Sequence, residues 1–282
     1  MSSAYLVLAH KNLDQLARLS RRLSGERSRV LVHVDAATDV SAHEAELREI
    51  AGLTLLARRH RCPWGGFELV QATLDLMAAA LAAGGEVERL TLLSGQDYPI
   101  KPPERIEAFL LDENPQRTFM EHFRLPRPDW GGGGGLERIE DLHFRLGGRL
   151  RSLPISRLGL RRSPPSGLVA HQGGQYWSMT RADAEHVLGY VRSDPRVTRF
   201  FRRTAVPDEL FFQTIVMSSP LADAVENDDL RYERWDEGQD HPAILTVDDL
   251  PALRASPALF AKKFDTTVDA EVLDRIDEER LG

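Results

Sequence analysis

Glu209 stands in the run Val206-Pro207-Asp208-Glu209, just ahead of the apolar residues Leu210, Phe211, Ile215 and Val216. A carboxylate at such a place could serve as a general base, taking the proton of a hydroxyl as that hydroxyl attacks. Proline followed by acids is also ordinary chemistry for a helix start, where the helix dipole favours the ionised form. The residue types alone leave both open, with Asp208 better suited to capping or orienting. Lys262-Lys263 lies between Phe260-Ala261 and Phe264-Asp265. Flanking aromatics could bury the segment and fix an ammonium against an anionic group, a charge-assisted contact. A solvated charge pair is the other reading.

Two strand ends carry further polar groups. Leu90–Leu93 is a short apolar run that stops at Ser94-Gly95-Gln96-Asp97, and Val30–Val34 stops at Asp35 after His33. Open α/β folds place ligand sites outside the carboxyl ends of their strands. A carboxylate at Asp35 could accept hydrogen bonds from a uracil N–H or ribose hydroxyls, or simply start a turn.

The elements that must position these groups read as α/β. Ala4–Ala9, Val30–Val34 and Leu53–Ala57 are strand-like. Asn12 with Gln15 gives an N-cap and its partner, ahead of Leu13, Leu16, Leu19 and Leu23 at near-helical spacing. Strand–helix–strand order with short connections argues a mostly parallel, Rossmann-like sheet. Phe67, Val70, Leu74, Met77, Ala78 and Leu81 mark one face of a longer helix after Trp64-Gly65-Gly66. Thr118–Phe123 is strand-like, and Ala170–Met179 is a strand carrying Tyr176 and Trp177. Adjacent strand residues point to opposite faces, so one of that pair must be core. Thr180 with Asp183 caps the helix that follows. Gly131–Gly135 lacks the frame of a dinucleotide fingerprint and reads as a flexible loop. Arg145–Arg162 holds six arginines, either a solvated basic loop or a cradle for an anion.

The 282 residues suffice for one large domain. A net charge of −7 argues against general nucleic-acid binding. Cys62 is the only cysteine, which excludes an intrachain disulfide and favours a reducing, cytoplasmic setting. No apolar run approaches the roughly 20 residues of a membrane span.

Several of these stretches together resemble one family. Ser94-Gly95-Gln96-Asp97-Tyr98-Pro99-Ile100-Lys101, Pro207-Asp208-Glu209 with Thr214, Arg231-Tyr232-x-x-Trp235, and Leu259-Phe260-Ala261-Lys262-Lys263-Phe264-Asp265 are similar to motifs of the core-2/I-branching N-acetylglucosaminyltransferases and peptide xylosyltransferases (glycosyltransferase family 14). The matches run collinearly from Asp35 to Asp265. The resemblance implies a glycosyltransferase-A-like fold in a single domain, with a nucleotide-sugar half to about residue 125 and an acceptor half beyond it. It implies an inverting transfer of N-acetylglucosamine or xylose from a UDP-sugar to a hydroxyl acceptor. By resemblance Glu209 is the catalytic base. His33, Asp35, Trp64, Gly65, Ser94, Asp97 and Lys263 fall to the donor, and Trp235, Glu121 and Trp177 to the acceptor. The usual metal-dependent enzyme of this fold holds its cation through Asp-x-Asp, which occurs nowhere in the chain. No metal or cofactor is therefore expected, and fixed cations must meet the leaving diphosphate. The arginine the family would supply falls near Asp240 or His241, where this chain has none. His241, Lys262 or an arginine of 145–162 could replace it. The family's eukaryotic members carry a membrane anchor and disulfides, so a bare bacterial catalytic domain is expected. The alternative is a non-catalytic nucleotide-sugar or glycan-binding module on the same fold.

Overall fold

The computed structural model describes residues 1–84, 86–131, 133–239 and 241–279. Its centre is a seven-stranded sheet. In chain order the strands are β1 (Ser2–Ala9), β2 (Ser28–Val34), β3 (Leu53–Leu55), β4 (Val87–Ser94), β5 (Thr118–Met120), β6 (Trp177–Thr180) and β7 (Val225–Glu226). Their order across the sheet is β7-β5-β6-β4-β1-β2-β3. Only β6 runs antiparallel to its neighbours. This is the mixed α/β architecture expected, and the sheet draws strands from both sides of residue 125.

β1 and β4 are apolar almost throughout because both sheet faces are covered. Alternate residues feed two cores. Leu6, Leu8, Leu90 and Leu92 pack with the helices Phe67–Ala82, Arg181–Ser193 and Phe211–Met217. Tyr5, Val7, Val30 and Val32 pack instead with the helix Leu13–Leu23 and the C-terminal segment. Burying each Leu or Val contributes about 1.5–3 kcal/mol, so these layers fix where the strand ends lie.

A second, three-stranded sheet bears on the site more directly. Phe260–Lys262 pairs with Arg231–Glu233 on one side and Tyr98–Pro99 on the other. It joins the turn after β4 to the C-terminal part of the chain.

Local expectations fared unevenly. Thr180 does cap its helix, accepting from the Asp183 backbone N–H. Asn12 and Gln15 do not form a cap. Asn12 sits at φ 50° and donates to Asp265, while buried Gln15 donates to the carbonyls of Gly95 and Phe264 and accepts from Thr266 N–H. A side chain that bonds three backbone groups of two loops gains more hydrogen bonds than one capping its own helix. Pro207–Glu209 is a 3-10 turn rather than the first turn of an α-helix, which begins only at Phe211. Of the Gly131–Gly135 run, Gly132 lies outside the described residues, as does Asp240. The first half of the Arg-rich stretch belongs to a β-hairpin in which Leu142–Leu146 pairs with Arg149–Leu153, and a 3-10 turn at Ile155–Leu158 follows.

Candidate functional site

A cavity of about 600 Å³ opens at the carboxyl ends of β1, β2 and β4. His10, Asp35, Arg61, Trp64, Ser94, Gln96, Tyr176, Lys262 and Lys263 are among its walls. Asp35 is positioned by its own turn: its two oxygens accept the backbone N–H groups of Ala37 and Cys62, each at 2.7 Å. Those bonds pin the 60–64 segment against the end of β2. Trp64 follows on that segment, 73% exposed, and Gly65 holds φ +65°, a backbone region open to glycine at little cost.

His33 is not part of this wall. Its ring is buried and its Nε2 accepts the His60 backbone N–H at 2.8 Å. Burial, reinforced by the neighbouring His60, pushes its pKa down to about 4, so it is a neutral brace for the loop. The donor role expected of His33 is therefore corrected to support of the residues that line the cavity.

Asp97 receives the same correction. It is wholly buried. One oxygen takes the Arg231 Nε at 3.0 Å, and the other takes the Ser94 backbone N–H at 2.8 Å and the Ser94 hydroxyl at 2.5 Å. With its lone pairs turned inward, Asp97 orients Ser94, which does line the cavity, and anchors Arg231. The hard stop of β4 at Ser-Gly-Gln-Asp makes a tight turn whose acid reaches back to its own start.

Both lysines of the 262–263 pair line the cavity. Lys262 Nζ lies 4.1 Å from the centre of the Tyr176 ring and 3.4 Å from Glu233. Burial works against its charge, but Tyr176, Asp97 and Glu233 outweigh it and leave the pKa above the ordinary lysine value. Burial, Lys11 and Lys262 instead lower the Lys263 pKa. With Arg61, which makes no ion pair among the described residues, the cavity holds three cationic side chains. His241, one candidate for the missing cation, does not line it; its ring meets the Pro242 carbonyl. Of the Arg145–Arg162 stretch, none lines it.

A second pocket of about 550 Å³ is lined by Glu121, Asn227, Asp228, Asp229, Arg231, Glu233 and Trp235. It brings together Glu121 and Trp235, which are 114 positions apart in the sequence. Trp235 is 56% exposed, its indole N–H donating to Glu233 at 2.9 Å. Burial, with Glu233 and Glu121 nearby, raises the Asp229 pKa to about 6 despite Arg231. Arg231 and Glu233 line this pocket; Arg231 pairs with Asp97, which orients Ser94 of the first cavity, and Glu233 meets Lys262 of that cavity. The two spaces thus share a wall built by the three-stranded sheet.

Glu209 reaches the same neighbourhood through the segment His171–Tyr176. Its carboxylate accepts from Arg138 at 2.9 Å and from Gln172 at 3.1 Å, and its side chain is 36% exposed. Its backbone carbonyl accepts the Gly173 N–H at 3.0 Å. Gly173 is required here by space: a Cβ would stand 1.8 Å from the Glu121 carbonyl oxygen. Gly174 in turn runs beside the Glu121 and Asp229 carboxylates. The segment ends in Tyr176 at the first cavity. Burial raises the Glu209 pKa, and Arg138 and Gln172 only partly oppose it. This reverses the expectation from a helix start, because a 3-10 turn offers a weaker dipole and partial burial outweighs the Arg138 and Gln172 contacts. Asp208 is buried with one oxygen unpaired, and burial followed by Glu209 raises its pKa to about 7.

Trp177 is corrected outright. It is fully buried in the sheet core, its ring 5.4 Å from Phe212, and it lines neither of the two pockets. The strand alternation assigns the site to its neighbour Tyr176 instead. Sequence reasoning did not single out His10, Arg138 or Gln172. His10 directly follows β1 and Gln172 lies within the Ala170–Met179 stretch, but only packing between distant segments brings Arg138 and Gln172 onto Glu209.

The model of the Core-2/I-Branching enzyme family matches residues 3–253. The chain belongs to that family. Xylosyltransferase 2 of Canis lupus familiaris is 27% identical over 306 aligned residues, covering 99% of this chain and 34% of that protein. Xylosyltransferase oxt of Drosophila melanogaster is 24% identical, covering 98% of this chain and 33% of that protein. The chain thus spans about a third of the length of the curated relatives it matches. Among solved structures, apo mouse xyloside xylosyltransferase 1 superimposes with a TM-score of 0.41 at 13% identity, over 93% of this chain and 97% of that one. Among the described residues, no helix is long and apolar enough to cross a membrane.

Proposed function

We propose that this Core-2/I-branching family member moves a sugar from a UDP-sugar to a hydroxyl acceptor by a single inverting displacement, without a metal, on a glycosyltransferase-A-like fold. The observation that carries this reading is the pair of adjoining spaces. The first combines Asp35 and Trp64, suited to a nucleoside, with Arg61, Lys262 and Lys263, suited to a diphosphate. The second offers an exposed indole and carboxylates, suited to sugar C–H faces and hydroxyls. In the reaction, the acceptor oxygen forms a bond to C1 of the donor sugar as the bond from C1 to the phosphate oxygen breaks. The acceptor proton passes to Glu209, and the electron pair leaves with UDP. The cations stabilise the charge that gathers on the diphosphate. Xylose and N-acetylglucosamine both remain candidates for the transferred group, and the xylosyltransferase relatives favour trying xylose first.

The deciding experiment is release of UDP from a panel of UDP-sugars in the presence of excess EDTA, with donor hydrolysis standing in for transfer. Turnover that survives EDTA is the expected result. Loss of turnover in EDTA with recovery in Mn²⁺ would overturn the metal-free reading, and tight UDP binding with no turnover of any donor would leave the non-catalytic module.

A variant series tests the diphosphate contact. Lys263→Ala is expected to weaken UDP binding about 10–100-fold, the range for losing a hydrogen bond to a charged group. Lys262→Ala should also weaken it, since that ammonium lines the same cavity. Lys101, outside the cavity, supplies the control. Calorimetric titration of UDP reads all three, and wild-type affinity in Lys263→Ala would remove the lysine from the diphosphate.

A further inference from the structure

The hairpin Leu142–Leu146/Arg149–Leu153 has two unlike faces. Its turn is Gly147-Gly148, both at positive φ, the geometry of a two-residue hairpin turn. Direct partners across an antiparallel pair share a face. Leu142 opposes Leu153, Phe144 opposes Arg151, and Leu146 opposes Arg149. His143, Arg145 and Leu150 occupy the other face, which packs inward: His143 is buried, and Leu150 approaches Gly65. The outward face is therefore leucine, phenylalanine and arginine. Leu146 is 67% exposed and Leu153 50%. The turn that follows carries two more exposed leucines, Leu158 at 75% and Leu160 at 62%. These four are close to half of the large apolar side chains exposed among the described residues.

Charge sorts the same way. Residues 142–162 contain six arginines and no acid in a chain of net charge −7. Arg149, Arg151 and Arg157 are exposed and make no ion pair among the described residues. Leucines standing in water beside unpaired arginines fit a surface that is anionic outside and apolar just beneath, which is the interface of an anionic bilayer.

We propose that this hairpin and the turn after it dock the protein on an anionic phospholipid surface. Leu146, Leu153, Leu158 and Leu160 enter the headgroup region, and Arg149, Arg151 and Arg157 meet the phosphates. Docking of this kind needs no spanning helix. It stands independently of the catalytic reading. Because Arg145 on the inward face donates to the Trp64 carbonyl, the docked hairpin would hold the Trp64 edge of the donor cavity near the lipid.

The test is co-sedimentation of the protein with vesicles of phosphatidylcholine mixed with phosphatidylglycerol, against phosphatidylcholine alone. Binding to the mixed vesicles only, weakening with added salt, is expected. Leu146→Glu with Leu153→Glu, and separately Arg149→Glu with Arg151→Glu, should each lower the partition coefficient about tenfold or more. The far-UV circular dichroism and melting temperature of both variants should match wild type, which reports that they are folded. Equal binding by wild type and both variants would overturn the proposal, as would no binding of the wild type. Capture by soluble polyphosphate that depends on the arginines alone would make the face a polyanion site, and a dimer in light scattering that the leucine variant dissolves would make it a contact between copies. Either result also overturns it.

Discussion

Glu209→Gln is expected to cut kcat by about 10²–10⁴-fold while UDP-sugar affinity stays near wild type, because only the proton acceptor is lost. Glutamine keeps the size of the side chain and can still meet Gln172, so the 207–209 turn should hold. The geometry favours Glu209 over Asp208 for this task. Glu209 is partly open to solvent beside Glu121, whereas Asp208 is buried. The pH profile should carry the same signature. A base must be unprotonated, and burial raises the Glu209 pKa, so activity should fall on the acid side at a pH above the ordinary glutamate range. Arg138 is among the groups that hold that pKa down. Arg138→Ala should therefore move the acid limb of kcat/KM to still higher pH. A wild-type kcat in Glu209→Gln, or an acid limb that ignores Arg138, would return the pair to a structural role.

Asp97→Ala should be the most damaging single change to the fold near the site. Asp97 and Arg231 are a wholly buried ion pair. Arg231 also donates to the Asp229 carbonyl at 2.6 Å and stacks 4.8 Å from Tyr176. Removing one partner leaves an uncompensated guanidinium in the interior, which costs about 3–5 kcal/mol. Tm should fall sharply, and UDP binding should weaken in the remaining folded fraction, since Ser94 loses its orienting acceptor and the shared wall loses its anchor. Denaturant unfolding of Asp97→Ala beside Asp97→Asn measures it. Asparagine retains the acceptor oxygen toward Ser94 and should sit between alanine and wild type. A cost below about 1 kcal/mol for alanine would mean that water enters and screens the arginine.

The role proposed for Glu209 comes from the sequence alone, because Pro207-Asp208-Glu209 with Thr214 lies in a short motif that resembles the family's. Asp97 lies in one as well, but the motif did not reveal which way its carboxylate turns. The tight turn after β4 closes on Ser94, and the small sheet brings Arg231 from 134 positions away. Pairing a buried charge overrides exposure to a ligand, since an unpaired one would be far more costly.

Period and local chemistry made the α/β class legible from sequence. Apolar runs at strand length, the helix stripe from Phe67 onward and the Thr180 cap depend on neighbours within a few residues, so the chain states them directly. That Asp35 and Ser94 close β2 and β4 follows from the same local signals, while Lys263 was singled out by the resemblance; all three line the cavity at the strand ends. Which of two adjacent residues faces the cavity did not. Tyr176 and Trp177 are equivalent in a list, and only the pairing of β6 with β4 and β5 sends the indole into the core. Nor did the sequence reveal that His33 braces a loop, which of His241, Lys262 and the 145–162 arginines would join Lys263 in the cavity, or that Arg138 and Gln172 hold Glu209. Those outcomes depend on contacts between segments far apart in the chain, where packing and the need to satisfy buried polar groups, rather than local preference, decide the arrangement.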